Sequence, residues 1–255
     1  MNRRTRLTMV GGALLAATAG GGNVSASTEP PQPSDSAGVP AIDPGDGGDY
    51  TPNIDSQRFV ETIDNPYLPY LPGSRWVYEG GADGELERIE IEVLDERRVV
   101  MGISAVVVRD TVYVDGEIAE DTYDWFAQDG DGNVWYLGED THEYEDGEPV
   151  NAEGAWEAGV DGAQPGIVMP ADPAVGHAFR QEYLAGEAED MGEILEVGVS
   201  RSIGLGDFDD VVVMEHWTPL EPDTIEEKWY AAGVGVIYET DGDSEVELIE
   251  FTPGG

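Results

Sequence analysis

An alternation of apolar and polar residues with a period of two recurs along the chain from about residue 51 onward. The segment Ile89–Val93 reads Ile-Glu-Ile-Glu-Val, the pattern of a strand with one buried face. Helical periodicity is weak by comparison, with a short candidate near Asp55–Ile63 and an ambiguous one at Ala185–Leu195. The pattern therefore predicts a single domain, residues 51–255, that is almost entirely β, with one or two short helices.

Asp-Gly pairs separate the predicted strands. The pair Asp115-Gly116 stands between two strand-like segments, and both of its residues suit a two-residue hairpin turn with positive φ. Sequential hairpins of this kind build an antiparallel sheet. The expected architecture is a single curved sheet, or a half-open or closed β-barrel.

One stretch, at about 152–176, interrupts this rhythm, because it is too irregular for a strand and too apolar for a plain solvated loop. It predicts a long apolar loop that folds back over the sheet through Trp156, Ile167, Val168 and Met169. Two interpretations stay open at this point. The loop is either a structural plug of the barrel or a lid over a ligand cavity.

The first 26 residues have the composition of a secretory signal peptide. Arg3, Arg4 and Arg6 precede an apolar run over 7–19, and small residues follow at Val24–Ala26. The arginine pair partly matches a twin-arginine signal, so both that route and the Sec route stay open, as does retention of the segment. Residues 27–50, rich in Pro, Ser, Gly and Asp, predict a disordered tether. A secreted or cell-surface protein, near the cell envelope or an S-layer, is expected.

Acidic residues far outnumber basic ones: 54 Asp and Glu against 12 Lys and Arg give a formal net charge of −42. Such a surface repels itself at low ionic strength and is hydrated and soluble in concentrated salt. The composition, with Lys228 as its single lysine, is typical of a halophilic protein and predicts a halophilic archaeon as source. It also excludes nucleic acid as a partner, because two polyanions repel each other.

Salt should therefore control folding. We expect the near-UV circular dichroism of the purified protein to be lost when NaCl falls from molar concentration to about 0.1 M, where the Debye length reaches about 10 Å. A near-UV spectrum that stays the same across that range would contradict the halophilic interpretation.

Three segments carry a resemblance: Asp64–Pro69, Pro72–Tyr78 and Trp229–Val236. Together they resemble a group of uncharacterised exported β-rich proteins of bacteria and haloarchaea, with an "NPY-P-PG-W-Y" segment followed later by "YAPGVG". Ala232 replaces the proline of the second motif. The pattern is also loosely similar to lipoprotein-carrier-like folds, in which a curved antiparallel sheet wraps an apolar cavity. The resemblance implies a fold and names no reaction.

The best metal candidate is a short acidic segment. Asp129, Asp131 and Asn133 offer oxygen donors at alternate positions, as calcium requires. The rest of the EF-hand pattern is missing, so a plain hairpin turn is the alternative interpretation. The three histidines, His142, His177 and His216, are dispersed, and the chain has no cysteine to complete a transition-metal site. No other cofactor is expected.

No catalytic motif stands out, and with so many acids a carboxylate pair has no distinctive signal. The favoured interpretation is a non-enzymatic protein that binds a small apolar ligand or lipid in the concave face of its sheet. The candidate ligand-binding residues are large apolar side chains: Trp125, Trp135, Trp156, Met169 and Trp217. The alternatives are an extracellular carboxylate-dependent hydrolase, indicated by buried acids that converge in a pocket, and a structural or adhesion module with a filled interior. The sequence leaves the oligomeric state open.

Overall fold

A computed structural model describes residues 50–82, 84–152, 154–242 and 244–255. The predicted signal peptide and nearly all of the predicted tether lie outside these residues. Strands form most of the described part, which confirms the all-β prediction. The strands are β1 (Phe59–Val60), β2 (Arg75–Gly81), β3 (Glu87–Val100), β4 (Ile103–Val114), β5 (Glu117–Asp129), β6 (Val134–Glu145), β7 (Glu148–Asn151), β8 (Trp156–Glu157), β9 (Gln164–Met169), β10 (Ala178–Arg180), β11 (Glu182–Tyr183), β12 (Met191–Ile203), β13 (Gly206–Trp217), β14 (Ile225–Ala231), β15 (Gly235–Thr240) and β16 (Glu245–Thr252).

The strands form one antiparallel sheet that nearly closes on itself. Its order is β10-β12-β13-β14-β15-β16-β2-β3-β4-β5-β6-β9-β11, and β1, β7 and β8 pair at its margins. The two end strands, β10 and β11, are separated in the chain by Gln181 alone. The sheet is therefore a barrel-like structure whose two edges meet at this residue. Most neighbours follow each other in sequence, as expected for sequential hairpins.

The local predictions can be compared with the strands. Asp115 and Gly116 form the β4–β5 turn with φ of 51° and 85°, as predicted. Ile89, Ile91 and Val93 are buried on one face of β3, which confirms the alternation. Helix is confined, in the described ranges, to a three-residue 3-10 turn at Ser56–Arg58. Nothing there is a helix long and apolar enough to cross a membrane.

The second helix candidate was wrong. Leu184 and Ala188 form an isolated bridge, and Met191 already begins β12. The stretch at 152–176 also differs from the predicted long loop, because β8 and β9 lie within it and both pair with β6. β9 continues the wall between β6 and β11, so this stretch closes the barrel. The local sequence does not predict β9, because this strand depends on pairing partners that lie elsewhere in the chain.

A chain of aromatic rings crosses the apolar half of the interior. Tyr70 contacts Trp76 and Phe126, with ring centroids 5.7 Å and 5.1 Å apart. Phe126 stacks on Tyr136 at 4.8 Å, and Tyr136 meets Trp156 edge-on at 5.3 Å. Aromatic pairs in these geometries stabilise a core beyond the area they bury. The row of rings connects β2, β5, β6 and β8. Tyr70, from the segment before β2, joins the ring on β2 to the ring on β5.

The three motif segments of the resemblance meet at one place. The indole N–H of Trp76 donates to the carbonyl oxygen of Val234 at 2.7 Å, and the amide of Gly233 donates to the carbonyl of Pro66 at 2.7 Å. The side-chain amide of Asn65 donates to the carbonyls of Gly132 and Pro170. These bonds fix the segment 64–71 against the sheet, so the motif residues have a structural role in this chain.

Candidate functional site

Acidic side chains line the other half of the barrel interior. Asp124 pairs in register with Val108 on β4 and with Glu139 on β6, while Asp110 pairs with Thr122. All of these side chains are buried. Within the described residues, nine acids are buried: Glu87, Asp110, Glu120, Asp124, Glu139, Glu182, Asp190, Glu226 and Glu239. Buried acids on this scale are uncommon and need a physical account.

Lys228 provides the opposite charge. It lies on β14 with its Nζ 3.4 Å from Glu239 and 3.6 Å from Glu226, and all three side chains are buried. Burial lowers the pKa of Lys228, but the two glutamates outweigh burial, so the net shift is upward and the lysine stays charged. Its charge also acts across the interior, where it opposes the rise in the pKa of Asp124 on β5. One cation thus stabilises acids on opposite walls.

His216 belongs to this interior as a neutral group. Its Nδ1 lies 3.0 Å from Oε1 of Gln181, and its Nε2 lies 3.2 Å from the hydroxyl of Tyr230. Burial lowers its pKa well below the usual range, and Lys228 lowers it further. Because the amide oxygen can only accept, Nδ1 donates and Nε2 accepts from the tyrosine. On β13, His216 is buried, whereas its neighbours Glu215 and Trp217 are only half-buried.

A cavity of about 760 Å³ opens beside this interior, at the side of the barrel near β6, β8 and β11. Three aromatic residues, Trp125, Trp156 and Tyr183, line the cavity, and the buried residue Glu139 lines it as well. The turn at 160–162 and the segment 184–187 complete its rim. The volume lies within the range typical of small-molecule sites. Two of the predicted ligand-binding residues, Trp125 and Trp156, therefore share one cavity.

An arginine already stacks on one of the cavity's aromatic walls. The guanidinium of Arg98 lies 3.8 Å from the ring centroid of Trp125, and its Nε donates to Glu157 at 3.2 Å. A cation held between an indole face and a carboxylate is a favourable arrangement. The contact shows that this wall accepts a planar cation. Because the charge of Arg98 is already balanced by Glu157, it does not compensate the negative charges of the other acids in the wall.

Glu139 is the deepest acid of the cavity wall. It is 3 % exposed, and its Oε2 accepts no hydrogen bond from the described residues. Burial raises its pKa well above the usual range, and nearby Glu182 and Asp124 raise it further. Burial and the two neighbouring acids therefore favour the neutral form of the Glu139 carboxyl group. A protonated carboxylic acid in a cavity wall can donate a hydrogen bond or a proton.

Two more acids lie directly behind Glu139. Asp124, its partner across β5 and β6, accepts a hydrogen bond from the hydroxyl of Tyr136 at 2.6 Å. Glu182 on β11 is 1 % exposed. Burial raises the pKa of Glu182, and the Coulomb effect of Asp190 adds to it, whereas Trp156 and Arg180 partly oppose it. Three carboxyl groups in so dry a place cannot all be ionised.

The other predicted ligand-binding residues lie elsewhere. Trp135 donates its indole N–H to Oδ2 of Asp129 at 2.9 Å, and Phe59 packs edge-on against its ring. Met169 is fully buried in the core beside Val134. Trp217 is half-buried at the end of β13. Among the described residues, no ring contact joins any two of the tryptophans Trp125, Trp135, Trp156 and Trp217.

The predicted calcium ligands form the β5–β6 turn. Oδ1 of Asp129 accepts from the amides of Asp131 and Asn133, and Asp131 pairs with Arg58. Oδ1 of Asn133 accepts from the amide of Ala171. The described residues contain no group of three or more acids or histidines placed to hold a metal ion. These oxygens already serve the turn, and calcium binding stays a prediction.

Sequence reasoning missed the buried acids. The alternation of Tyr123, Trp125 and Ala127 with Asp124 predicts that Asp124 faces solvent, but Asp124 is fully buried. Trp125 is buried on the opposite face, so β5 is covered on both sides and alternation alone cannot orient it. The available signal was Asp110, which breaks an apolar series on β4. An acid at such a position means either that the strand was assigned wrongly or that the acid is buried and has a specific role.

No protein-family model matches the chain, and no curated protein matches it. One solved structure that matches the chain is described as "a putative lipoprotein" from Parabacteroides distasonis. The two chains are 15% identical, with a TM-score of 0.37, over 75% of this chain and 99% of the other. The resemblance to the exported β-rich group stays a prediction.

Proposed function

We propose that the chain is an exported, salt-adapted β-barrel that binds a small molecule in the cavity between Trp125 and Trp156. The cavity itself, whose lining includes Trp125, Trp156 and the buried residue Glu139, is the observation that supports binding most directly. Export and salt adaptation rest on the predicted signal peptide and on the net charge of −42. Polar groups in a largely aromatic cavity fix a ligand's orientation.

The acids argue for a different ligand from the one the sequence suggested. An uncharged lipid gains little from a wall that contains Glu139, and burial of that carboxyl group against hydrocarbon leaves its polar atoms without partners. A molecule with both an apolar part and a polar group suits the cavity better. The apolar part would lie against the two tryptophans.

The test is recovery of the molecule. Protein purified from its own host in molar salt, then extracted with organic solvent, should release a defined small molecule detectable by mass spectrometry. Ala185→Trp should lower its occupancy at least about tenfold, because Ala185 is an exposed residue of the cavity wall and the indole fills the space.

Ala232→Trp is the matched control, since Ala232 is equally exposed and lies on the turn between β14 and β15, outside the cavity wall. It should retain the molecule. A wild-type extract with no bound molecule at any salt concentration, or equal loss in both variants, would contradict binding at this cavity.

Carboxylate-dependent hydrolysis is a second candidate, favoured by one observation. Glu139 and Glu182 are buried neighbours whose pKa values are both raised, mainly by burial, as a general acid in such a site requires. Recovery of cleaved fragments of one precursor, instead of an intact molecule, would favour it. The same fragments should then appear when the precursor is added to fresh protein.

A further inference from the structure

The cavity wall carries an excess of negative charge. Around Arg98, its single basic residue, stand the acids Glu139, Asp140, Glu157, Asp161 and Glu187. Arg98 is committed to Glu157 and to the face of Trp125. The wall therefore repels anions, and only a positively charged ligand gains from it electrostatically.

The acids around the base of the cavity favour a neutral carboxyl group at Glu139. Glu139 stands between Asp124 on β5 and Trp156 on β8, which are its register partners on either side. The titratable groups that face it from neighbouring elements are Asp124 and Glu120 on β5 and Glu182 on β11, and Tyr136 faces it from its own strand, β6. Arg180 and Asp190 in turn face Glu182. None of the groups that face Glu139 directly is basic, so a positive charge that entered here would take over the role of the proton.

We propose that the cavity binds an organic cation, an amine or guanidine with an apolar group, and that this cation replaces a proton held by Glu139 and Glu182. The inference rests on the proposed function and specifies its ligand. The contact of Arg98 with Trp125 and Glu157 displays the same chemistry on the opposite wall. In the complex, the ammonium or guanidinium group lies on the ionised carboxylate of Glu139, and its apolar part lies against Trp156.

Three probes of matched shape test the ligand class: phenethylammonium, its neutral isostere 2-phenylethanol, and the anion phenylacetate. In about 1 M NaCl the Debye length is about 3 Å, so general attraction of cations to the acidic surface is suppressed. Phenethylammonium should bind at least about tenfold more tightly than 2-phenylethanol, since a charge-assisted hydrogen bond is added. Phenylacetate should bind most weakly.

Proton release is measured in the same titrations. Calorimetry at pH 7 in buffers with different ionisation enthalpies should show about one proton released for each phenethylammonium bound, and none for 2-phenylethanol. Glu139→Gln keeps the shape of the side chain, removes its charge, and should abolish both the proton release and the preference for the cation. Glu145→Gln, an exposed change at the end of the same strand, should change neither.

The outcomes separate the two proposals. If 2-phenylethanol binds as tightly as phenethylammonium, or if the cation binds without proton release, the inference is overturned while binding at the cavity stands. If Ala185→Trp leaves the binding of all three probes unchanged, or if no probe binds at all, both the inference and the cavity as a ligand site are overturned.

Discussion

Replacement of Lys228 by methionine should lower the free energy of unfolding by about 3–5 kcal/mol. The change keeps the length of the side chain and removes the only positive charge within 4 Å of Glu226 and Glu239 among the described residues. Both glutamates are buried, so water cannot replace the lost partner. One cation compensates at most one of the two carboxylates. Burial raises the pKa of Glu239, and Lys228 opposes that rise. Without Lys228, each glutamate should either take up a proton or remain as a buried charge that has lost its partner.

Chemical denaturation in molar NaCl measures the effect. Arg75→Met is the matched control, because Arg75 forms an exposed ion pair with Glu92 at 3.8 Å and such pairs contribute about 1 kcal/mol or less. The triple variant Lys228→Met, Glu226→Gln, Glu239→Gln should recover part of the loss, since no buried charge then lacks its partner. Equal effects of Lys228→Met and Arg75→Met would show that the interior lysine does not compensate the buried acids.

The local features of the fold were predictable from the sequence, and the reasons are visible in particular elements. The Asp115-Gly116 turn depends on two adjacent residues and their φ angles. The alternation in Ile89–Val93 depends on one strand with one buried face. In contrast, β9 depends on partners in β6 and β11, and its own residues, among them Pro165 and Gly166, have low strand propensity. Pairing with β6 and β11, and not local sequence preference, makes this segment a strand.

The cavity was predictable only in part, for a related reason. Trp125 and Trp156 were chosen as large aromatic residues, yet what unites them is the pairing of β5, β6 and β8 around Gly138. A Cβ added to Gly138 would lie 2.4 Å from the carbonyl oxygen of Trp156 and 3.0 Å from the ring of Trp125, so the backbone of β8 and the Trp125 ring both approach β6 at a position that only glycine can occupy. Glu139 follows this glycine directly. The sequence offers no sign that one glutamate among so many acids is the buried one.

The pH dependence of stability should reveal the buried acids, and Glu120 is the clearest case. Burial raises its pKa from 4.5 to about 8; Asp110, Glu143 and Asp121 add to the rise, and the hydrogen bond from Thr122 opposes it. Between pH 4.5 and pH 8 the unfolded chain is ionised at this residue while the folded protein keeps its proton. The folded state then binds more protons, so the free energy of unfolding falls as pH rises through this window.

Glu120→Gln should remove that contribution and keep the native contact, because the amide oxygen still accepts the hydrogen bond that Thr122 donates at 2.9 Å. Denaturation at pH 5, 6.5 and 8 in constant molar NaCl should show a pH slope that is smaller than in the wild type by about 1 kcal/mol per pH unit. Glu117→Gln, exposed on the same strand, should leave the slope unchanged. If both variants have the wild-type slope, the side chain of Glu120 is ionised in the folded protein, and the interior is wetter than its burial indicates. If Glu120→Gln alone flattens the slope, Glu120 is held as a neutral group inside the barrel, in contrast to the charged acids that cover its surface.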